Sequence, residues 1–389
     1  MKKIISVLTA TRAEYGLLKP IIAKLNTVEE FDIRIVVTGA HLSPEFGLTY
    51  KEIEKDGFII DENINILLSL DTPSSISKSM GLAMISFADY FEKLNPDLLV
   101  ALGDRYETLA VVATAMNQRI PIAHLYGGET TEGAVDESFR HAITKLSYLH
   151  FTSTDEYRKR VIQLGEHPNR VYAVGAIGIE NILNEKMLTK VELENELEIC
   201  LEKPYAVVTF HPVTLESDSS ENQIESLLEV CKEYKNLYFI LTKANADVEG
   251  RIINHLIDKY VGENDNFVAF KSLGTRRYLS ALKYCSMVIG NSSSGLVEAP
   301  SFGIPTINIG DRQKGRLQAS NVINCEPTKN SIRQAIEIAL SKDFTQKAKK
   351  TINPYGNGDT SDKVIEVLKE YLLNSKIDLK KKFYDLEVK

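Results

Sequence analysis

Six short polar clusters in this chain each follow an apolar run, and their side chains are of the kinds that move protons or hold anions. Thr9-Ala10-Thr11-Arg12-Ala13-Glu14-Tyr15-Gly16 sets a permanently charged guanidinium and a carboxylate at a strand-to-helix turn. Arg in that place can fork onto phosphate oxygens while the first amides of the helix add donors; the blander reading is an Arg–Glu surface pair. Gly103-Asp104-Arg105-Tyr106-Glu107 repeats the arrangement, with Asp104 either a helix N-cap or an acid–base group. The stretch from His124 to His141 is the densest, carrying Tyr126, Gly127, Gly128, Glu129, Glu132, Asp136, Glu137 and Arg140. Carboxylates brought together acquire separated pKa values, so that one can serve as base and another as acid. Asp136 and Arg140 also have the spacing of an i,i+4 ion pair, and the residues alone leave these roles open.

In the second half, His211 directly follows Val207-Val208-Thr209-Phe210, and Pro212 limits it to extended backbone. Gly290-Asn291-Ser292-Ser293-Ser294-Gly295 follows Met287-Val288-Ile289; small hydroxylated residues and glycines at a helix start make a phosphate cradle. Glu298, just downstream, can accept hydrogen bonds from a ribose diol or complement the helix dipole. Leu296 stands where a Walker loop requires lysine, and no G-x-G-x-x-G follows the first apolar run, so no dinucleotide cofactor is indicated. Gly310-Asp311-Arg312-Gln313 offers one more guanidinium.

The elements that must position these clusters alternate between short β-branched runs and longer amphipathic stretches. Ile4–Leu8, Ile33–Thr38, Leu98–Leu102, Ile120–Leu125, Leu149–Thr152 and Val171–Val174 read as one series of strands. Tyr205–Phe210, Leu237–Leu241, Phe267–Phe270, Met287–Ile289 and Thr306–Ile309 read as a second. Near-continuous apolar strands joined by helices predict parallel sheets covered on both faces, and two series predict two doubly wound α/β domains. The boundary falls near residue 180, giving domains 1–180 and 181–359, with a last amphipathic helix in 360–389 (Val364, Val367, Leu368, Leu372) packing back on the first. Ligands of such sheets sit beyond the carboxyl ends of the strands, where all six clusters fall, so the active site is expected in a cleft between the domains.

Composition narrows the partners. With 389 residues, 46 Lys+Arg against 53 Asp+Glu and a net charge of −7, the chain has no global basic field for nucleic acid. No apolar run reaches the ~20 residues of a membrane helix, and the N-terminal stretch reads as a first strand rather than a leader. Cys200, Cys231, Cys285 and Cys325 are far apart, which indicates neither a zinc site nor a disulfide framework and suits a reducing cytoplasm. Lys380, Lys381 and Lys382 read as a solvated tail.

TATRAEYG, GDR, GGE…GAVDESFRHAITKLS, FHPVT, GNSSSGLVEAP and GDRQ…GR, in that order over residues 4–320, resemble the hydrolysing UDP-N-acetylglucosamine 2-epimerases of sialic acid biosynthesis. The resemblance implies a GT-B-like fold of two Rossmann-like domains, a UDP-sugar substrate, no metal, no cofactor, and a homodimer or homotetramer. It implies the reaction as well: loss of UDP from C1 with removal of the C2 proton, then hydration of the 2-acetamidoglucal and reprotonation of C2 on the other face. Carried over residue by residue, Arg12 matches the family's nucleotide-contacting Arg, Asp104 and Arg105 its Gly-Asp-Arg pair, and Asp136 an acid assigned to proton transfer. Likewise His211 matches the histidine of the HPVT motif, Ser292 and Ser293 the diphosphate-binding serines, Glu298 the ribose-binding glutamate, and Arg312 the following loop Arg. Where many members carry Glu in His-x-Glu-Gly-Gly-Glu, this chain has Tyr126, so either Asp104, Glu129 or Asp136 takes over its acid–base role or the sugar pocket differs. The substrate expected first is UDP-N-acetylglucosamine. The alternative is a UDP-2,4-diacetamido-trideoxyhexose of legionaminic acid biosynthesis, which relatives with Thr-Glu-Gly and without this Glu act on and which suits the apolar face and single hydroxyl of Tyr126. A GT-B glycosyltransferase is a further alternative.

Overall fold

The computed structural model describes residues 2–68, 72–131, 135–212, 220–244, 250–356, 358–375 and 377–387. Glu132, Gly133, Val213 and Thr214, which belong to the motifs above, lie outside the described residues. Met1–Glu129, Asp136–Asn181 and Tyr355–Lys389 form one compact unit, and Thr130–Val135 with Ile182–Pro354 form the other.

The first unit is built on β1 (Lys3–Thr9), β2 (Phe31–Thr38), β3 (Ile60–Ile64), β4 (Leu98–Leu102), β5 (Ile122–Leu125), β6 (Leu149–Thr152) and β7 (Val171–Ala173), all parallel, in the order β3-β2-β1-β4-β5-β6-β7. The second holds β8 (Tyr205–Thr209), β9 (Tyr238–Thr242), β10 (Phe267–Phe270), β11 (Met287–Gly290), β12 (Thr306–Ile309) and β13 (Val322–Cys325), again parallel, in the order β10-β9-β8-β11-β12-β13. Each chain segment starts mid-sheet, works outward, then returns to the other side of its first strand. The loops after β1 and β4, and after β8 and β11, therefore part at a topological switch point. Central strands such as β4 and β8 are buried at every position, as helices on both faces require.

The outer strands β3 and β13 escape sequence reading. β3 carries Asp61, Glu62 and Asn63, and β13 carries Asn324, because an edge strand needs only one buried neighbour and its polar residues block further pairing.

Two devices tie distant sequence into the first unit. Pro20 lies inside the helix Arg12–Leu25 and cannot donate to the carbonyl of Gly16, so Asn181 Nδ2 donates to that oxygen at 2.7 Å. The helix Thr360–Lys369 buries Val364, Val367 and Leu368 in the same core as Leu18, Ile21 and Leu25. Its first turn is held by Glu180, which is fully buried: Ser361 donates its backbone N–H to Oε2 at 2.7 Å and its hydroxyl to Oε1, and Lys24 Nζ lies 3.2 Å away. An acidic group placed by another element thus satisfies helix-start donors that the helix itself does not.

The lysine cluster near the end is not a solvated tail throughout. Lys381 Nζ donates to Lys145 O at 2.8 Å and Ser147 O at 2.7 Å and reaches Glu166 at 3.0 Å. Burial opposes the Glu166 charge, but donors from His150 and Lys145 and the Lys381 ammonium outweigh it and hold the carboxyl at about 2. Charge runs read as solvated only when no buried counter-charge waits for them, and Glu166, 1% exposed, is such a counter-charge.

Replacing Glu180 by Ala removes two hydrogen bonds to a buried carboxylate, and we expect a loss of about 3 kcal/mol. Urea denaturation checks this, with the C-terminal helix becoming the first segment to exchange its amide hydrogens.

Candidate functional site

In the first unit the switch point gathers Arg12, Glu14, Asp104, Arg105 and Glu107. Thr11 caps the helix Arg12–Leu25 by accepting from Glu14 N at 3.3 Å, and Glu14 Oε2 reaches back to accept from Ala10 N at 2.8 Å. Arg12 begins that helix and pairs with Glu52 at 2.8 Å. Burial, reinforced by Glu107, pushes the Glu14 carboxyl up to about 7 against the opposing pull of Arg105. Behind them His41 is fully buried between Thr9 Oγ1 (3.0 Å) and Thr49 Oγ1 (2.8 Å), and burial lowers it to about 4, so it is neutral.

Arg140 organises the neighbouring loops. It is 1% exposed, yet its guanidinium reaches Asp104, Glu137 Oε2 at 2.7 Å and the carbonyl of Glu129 at 2.9 Å. On its own helix, Asp136–Leu146, Arg140 pairs with Glu137 three residues earlier, and Asp136 opens that helix. Glu129 is buried, its Oε1 accepting from Ser153 Oγ at 2.7 Å. His124 is fully buried, its Nε2 at 2.8 Å from Gly103 O, and burial drives it down to about 3. A neutral His124 therefore ties β5 to the loop that carries Asp104. Gly128 has φ 79°, and a Cβ there would overlap the carbonyl of Tyr157, so only glycine lets the Glu129 loop pass.

Tyr126 occupies a left-handed conformation at φ 68°, a strained one for a tyrosine at about 1 kcal/mol or more. Its hydroxyl accepts from Ile177 N at 2.9 Å and Gly178 N at 3.4 Å, the first amides of the helix Ile177–Asn184. The hydroxyl that sequence reading offers to a sugar is engaged at a helix start, and the ring packs on the core of this unit.

In the second unit the switch point centres on Asn291, which is fully buried. Its Oδ1 accepts from His211 N at 2.7 Å and its Nδ2 donates to His211 O at 2.8 Å. Its backbone N–H donates to Thr209 O at 3.1 Å, while its carbonyl accepts from Arg312 Nη1 at 3.1 Å and Gln313 Nε2 at 2.8 Å. One residue, through its side chain and its backbone, thus fixes the loops after β8, β11 and β12. Gly290 makes this possible, because at φ 135° a Cβ would overlap the Thr209 carbonyl. Ser292 Oγ accepts from Ser294 N at 3.4 Å, and Ser293 precedes the short helix Ser294–Val297. Glu298 follows it; burial raises its carboxyl, opposed by a hydrogen bond from Ser294, which also meets Tyr278 Oη at 2.5 Å. Among the described residues, no group of three or more His, Cys, Asp and Glu is placed to hold a metal ion, and no helix is long and apolar enough to cross a membrane.

The family model for UDP-N-acetylglucosamine 2-epimerase matches residues 23–369. The chain belongs to the UDP-N-acetylglucosamine 2-epimerase family. It is 46% identical over 99% of its length, and all of the relative's, to the GDP/UDP-N,N'-diacetylbacillosamine 2-epimerase (hydrolyzing) of Campylobacter jejuni. It is 36% identical to the UDP-N,N'-diacetylbacillosamine 2-epimerase (hydrolyzing) of Legionella pneumophila, covering 97% of this chain and 98% of that one. The crystal structure of UDP-GlcNAc 2-epimerase from Neisseria meningitidis bound to UDP-GlcNAc superposes with a TM-score of 0.81 at 19% identity, over 95% of this chain and all of that one. The fold is accordingly the GT-B-like pair of Rossmann-like domains of these 2-epimerases.

Within this 2-epimerase fold, Arg12, Asp104 and Arg105 stand together at one switch point, and His211, Ser292, Ser293 and Arg312 at the other. Asn291 and Gln313 stand in the sequence motifs without a role of their own, and Arg140 only as the i,i+4 neighbour of Asp136. Asn291 had one available signal: an amide directly after a strand and a glycine, in a cluster otherwise made of serines.

Two substitutions test these hubs. Asn291→Ala frees the backbone of His211, and we expect kcat/KM for UDP-sugar turnover to fall about 100-fold, the scale of a ~1 Å misplacement. Arg140→Met leaves Asp104 and Glu137 facing each other without a cation, which should cost about 3 kcal/mol in the denaturant midpoint, with Arg140→Lys intermediate.

Proposed function

We propose that this chain is a hydrolysing 2-epimerase acting on a UDP-2,4-diacetamido-2,4,6-trideoxyhexose. The observation that carries the substrate is the full-length match to relatives named for GDP/UDP-N,N'-diacetylbacillosamine and UDP-N,N'-diacetylbacillosamine. It favours the alternative reading of the sequence over UDP-N-acetylglucosamine, which becomes the second substrate to test. Tyr126 agrees with this choice. It replaces a carboxylate with an aromatic ring whose hydroxyl is already engaged, and that change suits a sugar that carries an acetamido group at C4 in place of a hydroxyl and whose C6 is a methyl group.

In this reading Ser292, Ser293 and Arg312 receive the diphosphate and Glu298 the ribose. Arg312 donates to a neutral carbonyl at Asn291, so that contact leaves its positive charge for an anion. Arg12 and Arg105 add positive charge from the first unit. As the C1–O bond breaks, its electron pair leaves with UDP, whose growing negative charge these donors stabilise. A carboxylate among Asp104, Glu129 and Asp136 takes the C2 proton, and the electrons of that C–H bond form the C1–C2 double bond of the 2-acetamidoglucal. Water then adds its oxygen to C1, and a proton reaches C2 on the opposite face, giving the free manno-configured sugar. His211, fixed by Asn291, supports the phosphate side.

Proton NMR in deuterated water tests the proposal with UDP-N,N'-diacetylbacillosamine and, separately, UDP-N-acetylglucosamine. We expect UDP release with deuterium at C2 of the free sugar, and faster turnover of the diacetamido substrate. Preferential turnover of UDP-N-acetylglucosamine overturns the substrate, and UDP release with C2 still protonated overturns the elimination.

A further inference from the structure

Ser292, Ser293 and Ser294 lead into a helix of four residues, Ser294–Val297, in which Val297 N donates to Ser293 O at 2.9 Å and Glu298 N to Ser294 O at 2.9 Å. A single turn is too short to hold its own direction, because fixing its first residues costs more than its few hydrogen bonds return. Its direction is therefore set by what surrounds it. Gly295 lies against β12, where an added Cβ would stand 2.9 Å from Thr306 Cγ2. At the far end Asn353 Nδ2 donates to Val297 O at 2.7 Å. At the near end, beside the serines, Tyr278 Oη meets Ser294 Oγ at 2.5 Å.

Tyr278 is a fixed post. It stands on the helix Gly274–Tyr284, which is tied down twice: Tyr205 Oη, from β8, donates to Ala281 O at 2.7 Å, and Leu188 N donates to Ser280 Oγ at 2.8 Å. Ser294 passes the constraint on, since its backbone N–H donates to Ser292 Oγ at 3.4 Å. Among the described residues Ser292 Oγ donates to no group and Ser293 Oγ makes no hydrogen bond, so two hydroxyl protons beside this turn are not spent on the protein. The path from β8 to those two hydroxyls runs through one phenol and one serine, and neither takes part in the steps proposed for turnover.

We propose that the hydrogen bond between Tyr278 and Ser294 aims the hydroxyls of Ser292 and Ser293 at the diphosphate of the substrate. Tyr278 and Ser294 are positioning residues. The inference rests on the function proposed above, in which Ser292 and Ser293 receive the diphosphate. A hydrogen bond to a phosphate oxygen weakens steeply when its donor points away, so the direction of these hydroxyls decides what they contribute. The device acts through the phenol oxygen, and Tyr278→Phe removes it while keeping the ring.

Dissociation constants of UDP and of uridine, measured on the full chain by calorimetry and by competition, test this. Tyr278→Phe should weaken UDP about tenfold, the scale of one hydrogen bond, and leave uridine within about twofold of wild type, since uridine carries no phosphate. Ser294→Thr and Ser294→Val have the same shape, and only threonine keeps the hydroxyl. Valine should repeat the loss for UDP, and threonine should bind UDP about tenfold more tightly than valine. Tyr278→Phe combined with Ser294→Val should cost no more than either alone, because both remove the same bond. UDP and uridine weakened equally would mean that the turn has simply loosened, and this overturns the inference. Losses that add in the double variant overturn it too. A wild type that binds UDP, with variants that match it, overturns the positioning and leaves the diphosphate reading in place. A wild type that binds no UDP removes that reading and the inference together. If Tyr278→Phe does not fold, the threonine and valine variants of Ser294 decide by themselves.

Discussion

A guanidinium that is 1% exposed exists only where its charge is answered, and in the first unit that demand falls on Arg140. Asp104 comes from the loop after β4, the Glu129 carbonyl from the loop after β5, and Glu137 from the helix that carries Arg140 itself. None of the three can drift without leaving a buried charge exposed to low dielectric, which costs several kcal/mol. The loops that bear the candidate acid–base residues are therefore held by electrostatics, and neutral His124 and Gly128 supply the room and the cross-tie that let them converge. Each of these contacts is short-range, so the geometry at Asp104 depends on residues as far along the chain as Arg140.

The second unit solves the same problem with a neutral group. Asn291 has donor and acceptor capacity on both its side chain and its backbone, and it uses all of them on the loops after β8, β11 and β12. A primary amide is the smallest side chain that can bridge both the N–H and the C=O of one residue. Because the amide adds no charge, it fixes these loops without placing a further ion among them. The contrast is between a charged hub, which must be answered by carboxylates, and a neutral one, which is satisfied by backbone groups alone.

The C-terminal segment shows how cheaply a remote stretch of chain can be made part of a fold. The helix Thr360–Lys369 supplies apolar side chains, while Glu180 caps its first turn and Glu166 draws Lys381 in behind it. Two buried carboxylates thus help decide where the last part of the chain lies.

Much of the fold was legible from residue order. Continuous apolar runs such as Leu98–Leu102 and Tyr205–Thr209 could only be doubly covered parallel strands, and polar clusters after them could only sit at carboxyl ends. The positions of Arg12, Asp104, His211 and Ser292 followed from that rule. The edge strands β3 and β13 did not, since their polar residues answer to solvent rather than to a period. Nor did the sequence by itself determine which side chains the clusters spend on each other. Spacing offers Arg140 a carboxylate on its own helix, and only the packed fold adds Asp104 and the Glu129 carbonyl from other loops; Tyr126 has a hydroxyl, and only the fold brings the helix start of Ile177 to it. Periodicity along a chain records burial, because burial repeats with the secondary structure. Partnership between polar groups is set by distances across the chain, and those exist only once the sheets have formed.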